Sequence, residues 1–210
     1  MKVLNLYSGI GGNRKLWKDV SVTAVEIDSD IASVYKNNYP DDNVIVGDAK
    51  EFLVNHFKEY DFIWASPPCP THSRLRTLWK GDGKLNNKTS GSSFKLPDMD
   101  LYSVIVFLKH FYEKNWVVEN VISYYNPLIK PYVIDNHYFW SNTPLASLKN
   151  NTRGILNQDL KTKSEQIDMD IPELDIPYRK KRTMLNNCVK PELGLYIYNC
   201  MFKLKQEKIN

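Results

Sequence analysis

Cysteine is scarce in this sequence: three residues, Cys69, Cys188 and Cys200, in a chain of 210. An odd and sparse set does not build a disulfide framework, so a reducing compartment and a cytoplasmic setting are expected. Long apolar runs are also missing. None approaches the roughly 18 residues that a membrane-spanning helix requires, and no membrane partner is expected. Residues 1–12 are a short apolar stretch ending in glycines, without the longer apolar region and small-residue cleavage site of a secretory signal. Internal repeats and low-complexity tracts are absent. With 42% hydrophobic and 25% charged residues, the composition excludes wholesale disorder, collagen-like chains and coiled coils, and the length suits one domain.

Net charge is only +4, but it is unevenly spread. Residues 71–96 carry Arg74, Arg76, Lys80, Lys84, Lys88 and Lys95 against Asp82 alone. Residues 178–190 carry Arg179, Lys180, Lys181, Arg182 and Lys190 and no acid. Each segment is therefore +5, which leaves the rest of the chain at −6. Such clusters fit a polyanionic partner or a solvated surface.

The first half alternates apolar runs with helical spacing. Strands are expected at 3–7, 22–26, 44–46 and 62–65, with helices at 13–18, 29–39 and 50–57 between them. Near-continuous apolar strands separated by helices predict an α/β fold with a mostly parallel sheet covered on both faces. Residues 71–96 break the rhythm with glycine, serine and asparagine, as a lid or binding loop would. Regular structure is expected to resume as a helix at 98–114, a strand at 116–119, a helix at 123–129, and extended segments at 132–134 and 137–140. Residues 143–177 look polar and irregular. The last helix is expected at 191–205, with Leu193, Ile197, Cys200, Met201 and Leu204 on one side.

Three constellations carry chemistry. Ser8-Gly9-Ile10-Gly11-Gly12 follows the first strand, and Glu26 ends the second. Glycines allow a close backbone approach to a ligand, and a carboxylate at the next strand end can accept both hydroxyls of a ribose. A tight strand-to-helix turn is the plainer alternative. No Gly-Lys-Ser/Thr is present, so nothing grips a triphosphate. Asp48, ending the third strand, would meet the base of a nucleoside. Next, Ser66-Pro67-Pro68-Cys69 closes the fourth strand. An isolated cysteine is usually core, but one set between two prolines at the mouth of a basic loop suits a nucleophile. Finally, Glu119-Asn120-Val121 follows an apolar strand, where a carboxyl group would be partly desolvated and could hold a proton near neutrality, or simply cap a helix.

In this order the motifs resemble the DNA (cytosine-5) methyltransferase family. Leu6-Tyr7-Ser8-Gly9-Ile10-Gly11-Gly12, Val25-Glu26-Ile27-Asp28 and Gly47-Asp48-Ala49 look like its cofactor motifs. Ser66-Pro67-Pro68-Cys69 looks like its Pro-Cys motif, and Leu185-Asn186-Asn187-Cys188-Val189 like the closing one. The resemblance implies a Rossmann-like methyltransferase fold with S-adenosylmethionine as cofactor and no metal. Tyr7, Ser8, Gly9, Gly11, Glu26, Ile27, Asp48, Ala49, Pro68, Asn187 and Val189 would form the cofactor site. Cys69, Glu119, Asn120, Pro68 and Ser73 would be catalytic. Arg74, Arg76, Lys80, Lys84, Arg179, Lys180, Lys181 and Arg182 would bind nucleic acid, with double-stranded DNA as the partner and its target base flipped out. It implies a core over 1–142 with the basic loop 71–96, a recognition segment over 143–182 and a completing part over 183–210. A bacterial or phage-encoded cytoplasmic protein, in a restriction-modification setting, is the implied context. The same chemistry on a structured RNA such as tRNA, and a non-catalytic relative, are the alternatives.

Two departures stand out. The family's Arg-x-Arg before an aromatic strand is replaced by Asp135 and His137, so Tyr138 and Trp140 read more simply as core. The recognition segment is short, which predicts a short target, low specificity or help from a second subunit.

Overall fold

A seven-stranded sheet forms the centre of the computed structural model, which describes residues 1–73, 96–146, 159–172 and 174–203. Strands β1 (Lys2–Leu6), β2 (Ser21–Glu26), β3 (Asn43–Val46), β4 (Phe62–Ala65) and β5 (Asn115–Val121) are parallel, in the order β3-β2-β1-β4-β5. The last two strands, β6 (Tyr132–Ile134) and β7 (His137–Ser141), form a hairpin whose β7 runs antiparallel beside β5. Its two-residue turn, Asp135-Asn136, holds φ of 44° and 63°. Two successive left-handed residues are what a tight hairpin needs, and Asp and Asn tolerate them best after glycine.

Side chains alternate across the sheet. Val3, Phe62, Trp64 and Val117 face a core shared with α6 (Pro191–Phe202). Leu4, Leu6, Ile63, Ala65 and Val118 face another, shared with α2 (Ala49–His56) and α3 (Asp100–Phe111). Burial of both faces by helices is the Rossmann-like architecture expected from the sequence. Strand order reverses between β1 and β4, so the crevice at their carboxyl ends is where such a sheet opens for a ligand.

A third cluster joins Ile10 and Val34 of the glycine turn and α1 (Ser29–Asn38) to Ile167, Met169, Ile176, Met184 and Leu185. These come from α4 (Leu160–Ile167), the segment after it, and α5 (Tyr178–Asn186). The described part of 143–182 is thus packed against the glycine turn and α1, and it contains a helix where only irregular chain was expected.

Two expected helices are absent. Residues 13–18 contain only a 3-10 turn, Gly12–Arg14. Asn13 is committed elsewhere: it exchanges side-chain amide bonds with buried Asn5 at 2.9 and 3.4 Å. Residues 123–129 stay non-helical because tertiary bonds claim their backbone. Leu128 N–H donates to Tyr102 Oη at 3.1 Å, and the Ile129 carbonyl accepts from Trp140 Nε1 at 2.8 Å. Trp140 is buried and half-buried Tyr138 packs on the same core, the packing role expected for both.

Candidate active site

A cavity of about 640 Å³ opens at the switch point. One end is built by the β1 turn and β2. The Glu26 carboxylate accepts from Gly9 N at 3.0 Å through one oxygen and from Asp28 N at 3.1 Å through the other. Burial raises its pKa while those amides oppose the rise. Gly9 has φ +54°, and a Cβ there would meet nothing, so its missing side chain leaves open cavity. Ile27 is 70% exposed beside Glu26 and offers a bare apolar face. Tyr7 Oη reaches a buried position without a hydrogen-bond partner. A carboxylate, an open glycine and an apolar flank fit the ribose and base of a nucleoside cofactor.

The far wall comes from the other end of the chain. Asn187, Cys188 and Val189 line the cavity, and they press against Gly12 so closely that a Cβ there would lie 2.2 Å from Val189 O and 2.3 Å from Cys188 Sγ. α5 adds Arg179 and Lys180. Lys180 Nζ lies 2.8 Å from Asp28 Oδ1 and 2.5 Å from Asp30 Oδ2, tying α5 to α1. Burial would raise the Asp28 pKa, but Lys180 and the Ile31 and Asp30 amides hold it low.

The other end of the cavity holds the reactive groups. Pro67, Pro68, half-buried Cys69 and Pro70 follow β4, while Glu119 and Asn120 end β5 beside it. Asn120 Nδ2 donates to Pro67 O at 2.9 Å and fixes the two segments together. Cys69 O accepts from His72 N at 3.0 Å and Ser73 N at 3.1 Å, turning the chain sharply after the thiol. Burial pushes the Cys69 thiol above its usual pKa, and the nearby Glu119 charge adds to the rise. Glu119 is 7% exposed, and burial raises its pKa against the opposing pull of His137 and Ser66. Two buried acids this close resist being anionic together: a proton on Glu119 eases ionisation of Cys69.

The cavity therefore gathers Tyr7, Gly9, Glu26, Ile27, Pro68, Cys69, Glu119, Asn120, Asn187 and Val189 of the expected site. Ser8, Gly11, Asp48 and Ala49 stand apart from its lining. Ser8 is buried beneath the turn, Gly11 packs against the rings of Tyr35 and Tyr39, and Ala49 belongs to the core. Asp48 caps α2, accepting from Lys50 N at 2.7 Å and Glu51 N at 3.0 Å, and these amides lower its pKa. Ser73 pairs with Ser123 across an isolated antiparallel bridge rather than lining the cavity. Lys180 is an internal tie, unlike the free phosphate contact expected of it. Arg179 lines the cavity; Lys181 and Arg182 occupy the next positions of α5. Arg74, Arg76, Lys80 and Lys84 lie outside the described residues, as does most of 71–96. The sequence reading missed Asp28 and Cys188, and gave His137 only a substitute's role. His137 lines the cavity.

A mostly parallel sheet covered by helices on both faces, with a glycine turn and a buried acid at the ends of its first strands, is the Rossmann-like fold of methyltransferases. The chain belongs to the C-5 cytosine-specific DNA methylase family, whose sequence model matches residues 1–121. It is 38% identical over 80 residues to the tRNA (cytosine(38)-C(5))-methyltransferase of Spodoptera frugiperda, a match spanning 35% of this chain and 24% of that protein. Its fold is similar to the crystal structure of a Spodoptera frugiperda DNMT2 mutant, with 14% identity, 96% and 99% of the two chains covered and a TM-score of 0.66. It is also similar to the Entamoeba histolytica methyltransferase EhMeth, with 11% identity, 98% and 99% covered and a TM-score of 0.59.

Proposed function

We propose that this protein methylates C5 of cytosine in nucleic acid, using S-adenosylmethionine and a transient bond to Cys69. The observation that carries the reading is the joint presence of Cys69 and the buried Glu119, whose pKa burial raises, in one cavity with the Gly9–Glu26 cradle. C6 of cytosine is a poor electrophile. A proton given by Glu119 to N3 makes C6 open to the Cys69 sulfur, and the resulting adduct turns C5 into an enamine-like nucleophile. S-adenosylmethionine, when bound, supplies the electrophilic methyl group. Gly9, Glu26 and Ile27 would hold its nucleoside, and Asn187 and Val189 would close over it. The target base must leave its stack to reach Cys69, at a cost of a few kcal/mol.

Duplex DNA is the first substrate reading, supported by the family to which the chain belongs. Structured RNA is the second, supported by the tRNA-acting relative. The described part of 143–182 is spent on packing, which favours a short target or a second subunit that helps recognition. A cytoplasmic site fits the three free cysteines.

The test incubates the protein with labelled cofactor and either mixed-sequence duplex DNA or total tRNA. Label at C5 of cytosine in one pool is expected, and its absence from both overturns the reading. Cys69→Ser should abolish transfer while nucleic-acid affinity is kept. A 5-fluorocytosine substrate should trap a covalent complex only when Cys69 is present.

A further inference from the structure

Glu119 meets two side chains of opposite kind. On one side is Ser66, whose hydroxyl opposes the burial-driven rise of the Glu119 pKa and accepts from Trp64 Nε1 at 2.9 Å. On the other side, antiparallel pairing of β7 with β5 brings His137 Nε2 to 4.0 Å from Glu119 Oε1. The imidazole is held from behind: Nδ1 lies 2.8 Å from the Asp135 carbonyl oxygen. A carbonyl can only accept, so Nδ1 carries a hydrogen and Nε2 is the atom turned to Glu119. The left-handed Asp135-Asn136 turn sets that geometry. Glu119, His137 and Cys69 line one cavity.

We propose that His137 is the positioning partner of Glu119, and that its imidazolium form faces the carboxylate left behind when Glu119 gives its proton to N3 of the target cytosine. The inference rests on the cytosine reading above and deepens it. In the addition step the Glu119 O–H bond breaks as N3–H forms. The Sγ–C6 bond forms at the same time from the Cys69 thiolate, whose proton has first left to solvent, with the displaced C5=C6 and ring electrons taken up through N3. The sulfur's negative charge thus ends on Glu119, which would be isolated in a dry site without the cation 4.0 Å away. Other charged groups on the cavity wall are Glu26 and Asp28 from β2 and its turn, and Arg179 and Lys180 from α5. Asp28 and Lys180 neutralise each other. Cys69, from the β4 side, is the remaining titrating neighbour of Glu119.

The decisive measurement follows the Glu119 carboxyl group itself, by carbon-13 NMR of glutamate-labelled protein without substrate, with Glu119→Gln identifying the resonance. His137→Gln removes the titrating charge but keeps a hydrogen-bonding side chain; His137→Arg makes the charge permanent. The Glu119 midpoint should rise by about one pH unit in His137→Gln and fall in His137→Arg. In parallel, His137→Gln should slow covalent trapping on 5-fluorocytosine nucleic acid roughly tenfold, with little change in KM, and His137→Arg should recover most of that loss. A Glu119 midpoint unmoved in either variant overturns the pairing. A moved midpoint with unchanged trapping overturns its part in the reaction. A moved midpoint in a protein that methylates neither DNA nor RNA leaves the pairing standing and overturns the cytosine reading instead.

Discussion

The Asn120 side-chain amide donates to the Pro67 carbonyl across 2.9 Å, joining the strand end that carries Glu119 to the segment that carries Cys69. Val121 N donates back to Asn120 Oδ1 at 2.9 Å, so the amide cannot swing away cheaply. The carboxyl group of Glu119 and the thiol of Cys69 are thus held in one frame by the Asn120 amide.

Asn120→Ala should therefore cost about 1–2 kcal/mol of stability, the loss of a buried bond with a carbonyl left unsatisfied. The larger effect should fall on the chemistry: roughly 10–100-fold in the single-turnover methyl-transfer rate, with cofactor affinity nearly unchanged. Rapid-quench kinetics beside calorimetric binding separates the two.

Cys69 and Glu119 should titrate against each other. Burial and the Glu119 charge both raise the thiol pKa. Removing the charge in Glu119→Gln should shift Cys69 alkylation by iodoacetamide to lower pH, read by peptide mass spectrometry. Cys188, pushed up to about 12 by burial, should stay unreactive through the same range. An alkylation profile identical in both proteins would contradict the coupling.

The two glycines of the turn should fail differently. Gly12→Ala drives a Cβ into Val189 O and Cys188 Sγ, backbone on one side, and should cost at least about 1–3 kcal/mol, lowering Tm. Gly9→Ala meets no atom, but its left-handed backbone should cost about 1–2 kcal/mol. Its methyl group would enter the cavity, so S-adenosylhomocysteine affinity measured by calorimetry should fall roughly tenfold or more.

Charges on α5 should not be equivalent toward nucleic acid. Arg179→Met should reduce the slope of log affinity against log salt by about one if it meets a phosphate. Lys180→Met should change that slope far less, because its ammonium already holds Asp28 and Asp30. Fluorescence anisotropy across a salt series gives both numbers.

The sequence reading succeeded where local chemistry and position coincide. β1, β2, β4 and β5 are near-continuous apolar runs, and each contains or leads into a residue type unusual for a sheet core: the glycine turn, Glu26, Cys69, Glu119. Asp48 is expected to meet a nucleoside base and here caps α2, because a carboxylate after a strand serves equally well as a helix cap, and the two uses differ only in where neighbouring elements lie. Lys180 is expected to bind nucleic acid, and its tie to Asp30 escapes the local pattern because the two are 150 residues apart along the chain. The helix expected at 13–18 yields to Asn13, whose bond to Asn5 and contact beneath Gly194 are tertiary demands that no local pattern carries. α4 was hidden by its polar composition, since its single buried residue, Ile167, leaves almost no periodicity to detect. His137 is read from the arginine it replaces, while its place opposite Val121 and diagonal to Glu119 follows from strand pairing.

The contact between Gly12 and Val189 also fixes an order of events in synthesis. The turn leaves the ribosome first and waits for the segment that walls it, on the order of ten seconds at ordinary elongation rates. Through that interval Trp17 lacks both Tyr198, on which its ring finally stacks at 5.5 Å, and the Gly194 carbonyl that accepts its indole N–H. The nascent chain thus carries an unwalled cavity beside an uncovered aromatic patch until residues 187–189 and α6 arrive.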